Sequence, residues 1–188
     1  MDYLDVLDRE VRKYGYDKMC ILELGCFNGA SSVVLGRIAK YNDGLLTCVD
    51  DVFRSGFFHS IQRAGVTHHV MTMKGKTKEI LPDLEENIYD VVFIDAGHTY
   101  EEVSFDLEQA QRLLRPGGLL IGDDLNSHVD FDKVSMNWLM HNQDVYGSQI
   151  EGVPGTIYAG VFLALKEFCD ETGFEFEREE NLFWGAIE

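Results

Sequence analysis

The chain has 188 residues, 45% of them hydrophobic, with twelve Phe, eight Tyr and two Trp, enough for one domain with a three-layer core. Its 33 acidic and 16 basic residues leave a formal charge of −17, a surface that repels phosphate backbones and argues against nucleic acid as a partner. No apolar run approaches the roughly 18 residues of a membrane span, and the opening Met1-Asp2-Tyr3-Leu4-Asp5 carries no basic region before an apolar one, so a cytoplasmic protein without a membrane partner is expected.

Taken in chain order, Leu4, Leu7, Val11 and Tyr14 recur at helical spacing and predict an amphipathic helix over 2–14. A strand follows over Met19 to Leu24, then a glycine turn, a helix over Ser31 to Tyr41, and a second strand over Leu45 to Val49. Residues 56–65 read as a short helix, His69 to Lys74 as a third strand, and Thr77 to Leu84 as a helical turn broken by Pro82. Tyr89 to Ile94 is a continuous apolar run of the kind buried on both faces of a parallel sheet. A helix over Tyr100 to Leu114 is closed by a Pro116-Gly117-Gly118 turn, and Leu119 to Gly122 is a fifth strand. Leu125 to Gly155, with Met136, Trp138, Met140, Tyr146 and Pro154, lacks periodicity; a helix over Thr156 to Thr172 and a hairpin centred on Asn181 end the chain. The pattern predicts one α/β domain over 1–188: a doubly wound, Rossmann-like sheet of seven strands, mostly parallel, with a C-terminal antiparallel hairpin.

Chemistry-bearing residues gather at the ends of the predicted strands. Gly25 and Gly29 let the backbone pass close to a ligand, and Ser31 and Ser32 at the helix start offer hydroxyls and free N–H groups to a carboxylate. A dinucleotide turn wants glycine where Phe27 stands, and Glu23 would repel a pyrophosphate but suits the cationic amino group of a methionine moiety. The turn therefore points to S-adenosylmethionine. Asp50 sits where a carboxylate could accept both ribose hydroxyls, with Asp51 the neighbouring candidate. Asp95, Asp123 and Asp124 end the fourth and fifth strands; three carboxylates there repel one another unless a cation lies among them, and hard oxygen donors suit Mg²⁺. The other reading has Asp123 and Asp124 cap the next segment while Asp95 contacts the cofactor. His98, three residues past Asp95, stands where a general base should be, unless it merely caps or faces solvent. The four cysteines form no CxxC, which suggests reduced thiols and neither zinc nor a disulfide framework.

Together these residues resemble class I S-adenosylmethionine-dependent methyltransferases, and among them the small-molecule O-methyltransferases of the catechol and the sugar and macrolide types. The resemblance is carried by Glu23 to Ser31, Ile94 to His98, Gly117 to Asp124 and Asn181 to Ile187, and extends from Met19 to Glu188. It implies that Gly25, Asn28 and Ser31 hold the methionine part with Glu23 and Gly29, that Asp50 holds the ribose, and that Lys74 to Glu79, with Thr77, lies near the adenine. It places Asp95, Asp123 and Asp124 on metal-ligand positions and His98 where the catechol type has a catalytic lysine. Asp124 departs from the catechol type's asparagine, although sugar O-methyltransferases carry Asp-Asp. Only about 18 residues precede the first strand, so Leu125 to Gly155, with Trp138 and the methionines, is expected to wall the acceptor site, aided by a second subunit if the protein is a homo-oligomer. The expected activity is methyl transfer to a hydroxyl of a small molecule; aminopropyl transfer, or a non-catalytic subunit on the same fold, is the alternative.

Overall fold

The computed structural model describes residues 2–145, 147–149 and 154–188. Its strands are β1 (Cys20–Leu24), β2 (Leu45–Asp50), β3 (Val70–Lys74), β4 (Tyr89–Ile94), β5 (Leu114–Gly122), β6 (Glu177–Glu179) and β7 (Leu182–Ala186). The helices are α1 (Tyr3–Lys13), α2 (Ala30–Tyr41), α3 (Ser55–Ala64), α4 (Thr77–Ile80), α5 (Tyr100–Leu113), α6 (Met136–Asn142) and α7 (Ala159–Thr172).

The seven strands make one sheet in the order β3-β2-β1-β4-β5-β7-β6. β1 to β5 pair in parallel; β7 runs antiparallel on β5, and β6 antiparallel on β7. Successive side chains of a strand face opposite sides, and here both sides are covered. Ile21, Val91, Phe93, Leu119 and Ile121 join a core with Val6, Leu7 and Val11 of α1, Leu35 and Ile38 of α2, and Phe57 and Ile61 of α3. Leu22, Leu24, Val92, Ile94 and Leu120 join a second core with Val103 and Leu107 of α5, Leu139 of α6 and Phe162 and Leu165 of α7. This is the doubly wound sheet that the alternation of apolar runs predicts.

Chain direction across the sheet reverses between β1 and β4, since β1 leads outward to β2 and β4 leads the other way to β5. A crevice opens at such a switch point beyond the carboxyl ends of the strands. The ladder continues into the loops there: Gly25 N–H donates to the Val49 carbonyl (2.9 Å), Asp95 N–H to Leu24 (2.8 Å) and Asp123 N–H to Ile94 (3.0 Å). The first residue after each strand is thereby held as firmly as the strand.

Two boundaries differ from expectation. The 115–118 segment is a bulge within β5, not a turn before it: Leu114 lies opposite Tyr89, and the register then skips to Leu119 opposite Val91. Gly117 N–H donates to the Ile187 carbonyl (2.7 Å) and Ile187 N–H to Gly118 (2.9 Å), so the chain end keeps this stretch extended. Helix α7 starts at Ala159 instead of Thr156 because Ile157 is tied by two 2.8 Å bonds to Ser148. The aperiodic 125–155 segment holds a 3-10 turn at Phe131–Lys133 and the short α6; its Tyr146 and residues 150–153 lie outside the described residues. Among the described residues no helix is long and apolar enough to cross a membrane.

Candidate active site

Gly25 begins the site. Its φ is +82°, and a Cβ there would stand 2.0 Å from the Asp95 carbonyl oxygen, so only glycine lets the β1 turn lie against the end of β4. Past it, the Cys26 and Phe27 N–H groups donate to one oxygen of Asp50 (2.7 and 3.1 Å) and the Val52 N–H to the other (2.8 Å). Asp50 thus ties the glycine turn to β2. Phe27 is 62% exposed with the Arg54 guanidinium 4.3 Å over its ring.

Glu23 differs from expectation. In place of facing a ligand's amino group, it is fully buried under α2, its oxygens accepting the Ser31 and Ser32 hydroxyls (2.5 and 2.6 Å) and the Cys48 thiol (3.2 Å). Alternation places Glu23 on the same face as Ile21, beneath the first turn of α2, where the serines are the available donors. Burial pushes its carboxyl up, and the two serine bonds offset part of that shift. It acts as a strut that fixes Ser31.

A cavity of about 710 Å³ opens at the switch point, a size suited to a small-molecule ligand. Gly25, Asn28, Ser31, Asp50, Thr77, Asp95 and His98 of the sequence-derived set line it, whereas Glu23, Gly29, Asp123 and Asp124 do not. Asp51, exposed, shares the rim with Asp50. Sequence reasoning missed Tyr3, which reaches this cavity from the first turn of α1. Burial and the nearby Asp123 and Asp95 carboxylates push its phenol up to about 12. At helical spacing Tyr3 is indistinguishable from the apolar face of α1, so no local signal marked it.

The four polar residues at the ends of β4 and β5 converge. His98 is buried and its Nε2 hydrogen-bonds the Asp124 carboxylate, while the Tyr158 ring lies 4.5 Å away, centroid to centroid. Asp124 holds a left-handed φ of +68°, and its N–H donates to the Asp123 side chain (2.7 Å). One ligand atom each from Asp95, His98 and Asp124 lies within 4.8 Å of the others. His98 thus joins the three strand-end aspartates, and all four line one small cleft. Burial, then repulsion from Asp123 and Asp124, pushes Asp95 up to about 9; burial and Asp124 push Asp123 up to about 6. Crowded carboxylates beside an imidazole are a donor set that fits a divalent cation.

A second cavity, of about 340 Å³, lies on the other side of Asp124 and is lined by Asn126, His128, Pro154, Gly155, Thr156, Tyr158 and Asn181 as well. The 125–155 segment contributes to it, but not through the residues expected. Trp138 packs on the core, and Met136 and Met140 lie at the surface, because α6 turns its apolar side to α7.

A family model described as a methyltransferase domain matches residues 22–125, which span β1 through β5 and every strand-end residue of the site. The chain belongs to that family. A catechol O-methyltransferase from Niastella koreensis is 36% identical to this methyltransferase domain over 110 residues, 56% of this chain and 48% of that protein. The chain spans about half the length of the curated relatives it matches. Among solved structures, a putative caffeoyl-CoA O-methyltransferase from Staphylococcus aureus superposes with a TM-score of 0.71 at 19% identity, over all of this chain and 84% of that one. The O-methyltransferase TomG from Streptomyces achromogenes, in complex with SAM, gives 0.69 at 20% identity, over 98% of this chain and 79% of its own. At those identities the two structures speak for the fold, and the family match places the domain among methyltransferases.

Proposed function

We propose that this protein transfers the methyl group of S-adenosylmethionine to a hydroxyl of a small molecule, with help from a divalent cation. The observation that carries this reading is a single cavity lined together by the glycine turn, Asp50, Thr77, Asp95 and His98. The family match and the names of the relatives, a catechol O-methyltransferase among them, support it.

In this reading Gly25, Asn28, Gly29 and Ser31 shape the seat of the methionine part, with Glu23 bracing Ser31 from below. Asp50, its orientation fixed by three backbone N–H groups, receives the ribose hydroxyls, and Thr77 at the start of α4 lies by the adenine. The sulfonium methyl is already activated, so alignment of acceptor oxygen, methyl and sulfur is the protein's main task, and such positioning supplies up to ~7–11 kcal/mol for a well-oriented pair. Asp95, Asp123 and Asp124 would balance the cation's charge, offsetting the burial and mutual repulsion that push Asp95 and Asp123 up. When bound, the cation lowers the acceptor hydroxyl's pKa. Asp95 and His98 are the catalytic side chains, and the cavity beyond Asp124 receives the body of the acceptor.

The test pairs calorimetry with S-adenosylhomocysteine and transfer of labelled methyl to catechol, with and without Mg²⁺ or Mn²⁺. Asp95→Ala is expected to bind S-adenosylhomocysteine within about threefold of wild type while losing at least ~10²-fold in transfer. A wild-type protein that does not bind S-adenosylhomocysteine would refute the reading; an Asp95→Ala protein with full metal-dependent turnover would remove Asp95 from the mechanism.

A further inference from the structure

We infer that His98 is itself a ligand of the divalent cation, joining Asp95 and Asp124, and that the site therefore selects a borderline transition-metal ion over Mg²⁺. The inference rests on the reading that the cluster holds a cation, and it says which side chains do so and which metal they prefer.

One ligand atom each from Asp95, His98 and Asp124 already lies within 4.8 Å of the other two. Two metal–ligand bonds of ~2.0–2.2 Å span at most about 4.4 Å, so the three atoms must draw closer to share one ion. Asp123 lines the same cleft, and one of its oxygens accepts the Asp124 N–H, 2.7 Å away, at the left-handed backbone of Asp124.

The backbone of His98 is held from two sides. A Cβ on Gly160 of α7 would stand 2.4 Å from the His98 carbonyl oxygen, so that helix lies directly against the loop. On the other side the Thr99–Glu102 capping box starts α5 at the next residue. Tyr158 packs on the imidazole face. A ring confined in this way, with Nε2 directed at a carboxylate that shares the cluster, is placed as a metal ligand is placed, by its surroundings instead of by its own rotamer freedom.

The donor types then decide the metal. Carboxylates alone suit Mg²⁺, which keeps a shell of oxygen; one imidazole nitrogen shifts preference toward Mn²⁺, Fe²⁺, Co²⁺ or Zn²⁺. Chelator-stripped wild-type protein is titrated with Mn²⁺, Co²⁺ and Mg²⁺, and the Mn²⁺ complex is examined by electron spin-echo modulation for a directly bound ¹⁴N. The expected results are Co²⁺ binding at least ~10-fold tighter than Mg²⁺, ¹⁴N modulation from wild type, and its loss in a folded His98→Gln protein. Bound Mn²⁺ without ¹⁴N modulation, or modulation that survives His98→Gln, overturns the assignment of His98. Protein that binds S-adenosylhomocysteine but no Mn²⁺ at all overturns the cation itself, and with it this inference, while leaving methyl transfer to be judged on turnover.

Discussion

Gly25 is where the cofactor turn and the reacting end of the site touch. A methyl group at that position meets the Asp95 carbonyl at 2.0 Å, and the φ of +82° is one that an L side chain resists. Gly25→Ala is expected to cost more than about 2 kcal/mol of stability and to abolish S-adenosylhomocysteine binding, as read by thermal melts and calorimetry. Unchanged binding would show that the turn does not form the seat. Asp106 of α5 gives a second expectation. It is fully buried, no hydrogen bond of normal geometry reaches either oxygen among the described residues, and burial pushes it from 3.8 up to about 7, the Thr77 hydroxyl offsetting part of the shift. Between those two values the folded protein keeps a proton that the unfolded chain has lost, so stability falls as pH rises through the window and levels off above it. Asp106→Asn should therefore raise the melting temperature by about 4 °C or more at pH 8 and by less than half that at pH 5. An equal gain at both pH values would show that Asp106 is ionised throughout.

At the scale of elements, periodicity made the strands and helices legible because each carries a buried face of its own. Val91 to Ile94 is apolar throughout and lies at the centre of the sheet; Leu4, Leu7 and Val11 sit on one stripe of α1 and pack on α2. The site was legible where a strand end placed it, hence Gly25, Asp50 and Asp95 in one cavity. What escaped depends on contacts far apart in sequence. Glu23 finds its partners eight and nine residues away across the turn, and Tyr3 enters the cavity because α1 packs on α2 and β7. The bulge at 115–118 is bonded by Ile187, some seventy residues on. The packing of α7 against the His98 loop is of the same kind and leads to a prediction. Gly160→Ala should lower methyl transfer at least ~10-fold, because relieving a 2.4 Å contact displaces the His98 backbone by about 1 Å and disturbs alignment, while S-adenosylhomocysteine affinity changes little. Loss of both in parallel would indicate a general folding defect.

For the whole molecule, a charge of −17 sets up a field that favours cations. S-adenosylmethionine carries a sulfonium charge that S-adenosylhomocysteine lacks, so raising ionic strength from about 0.02 to 0.5 M should weaken binding of the first more than the second. Equal salt dependence would mean that local cations such as Arg54, Lys76 and Lys78 on the cavity wall cancel the field. The measurement that bears most directly on the central claim is a crystal structure with S-adenosylhomocysteine. Its ribose is expected at Asp50, its adenine by Thr77, and its sulfur facing Asp95 and His98 within reach of an acceptor oxygen. A ligand seated with its sulfur turned away from Asp95, or bound outside this cavity, would contradict the account.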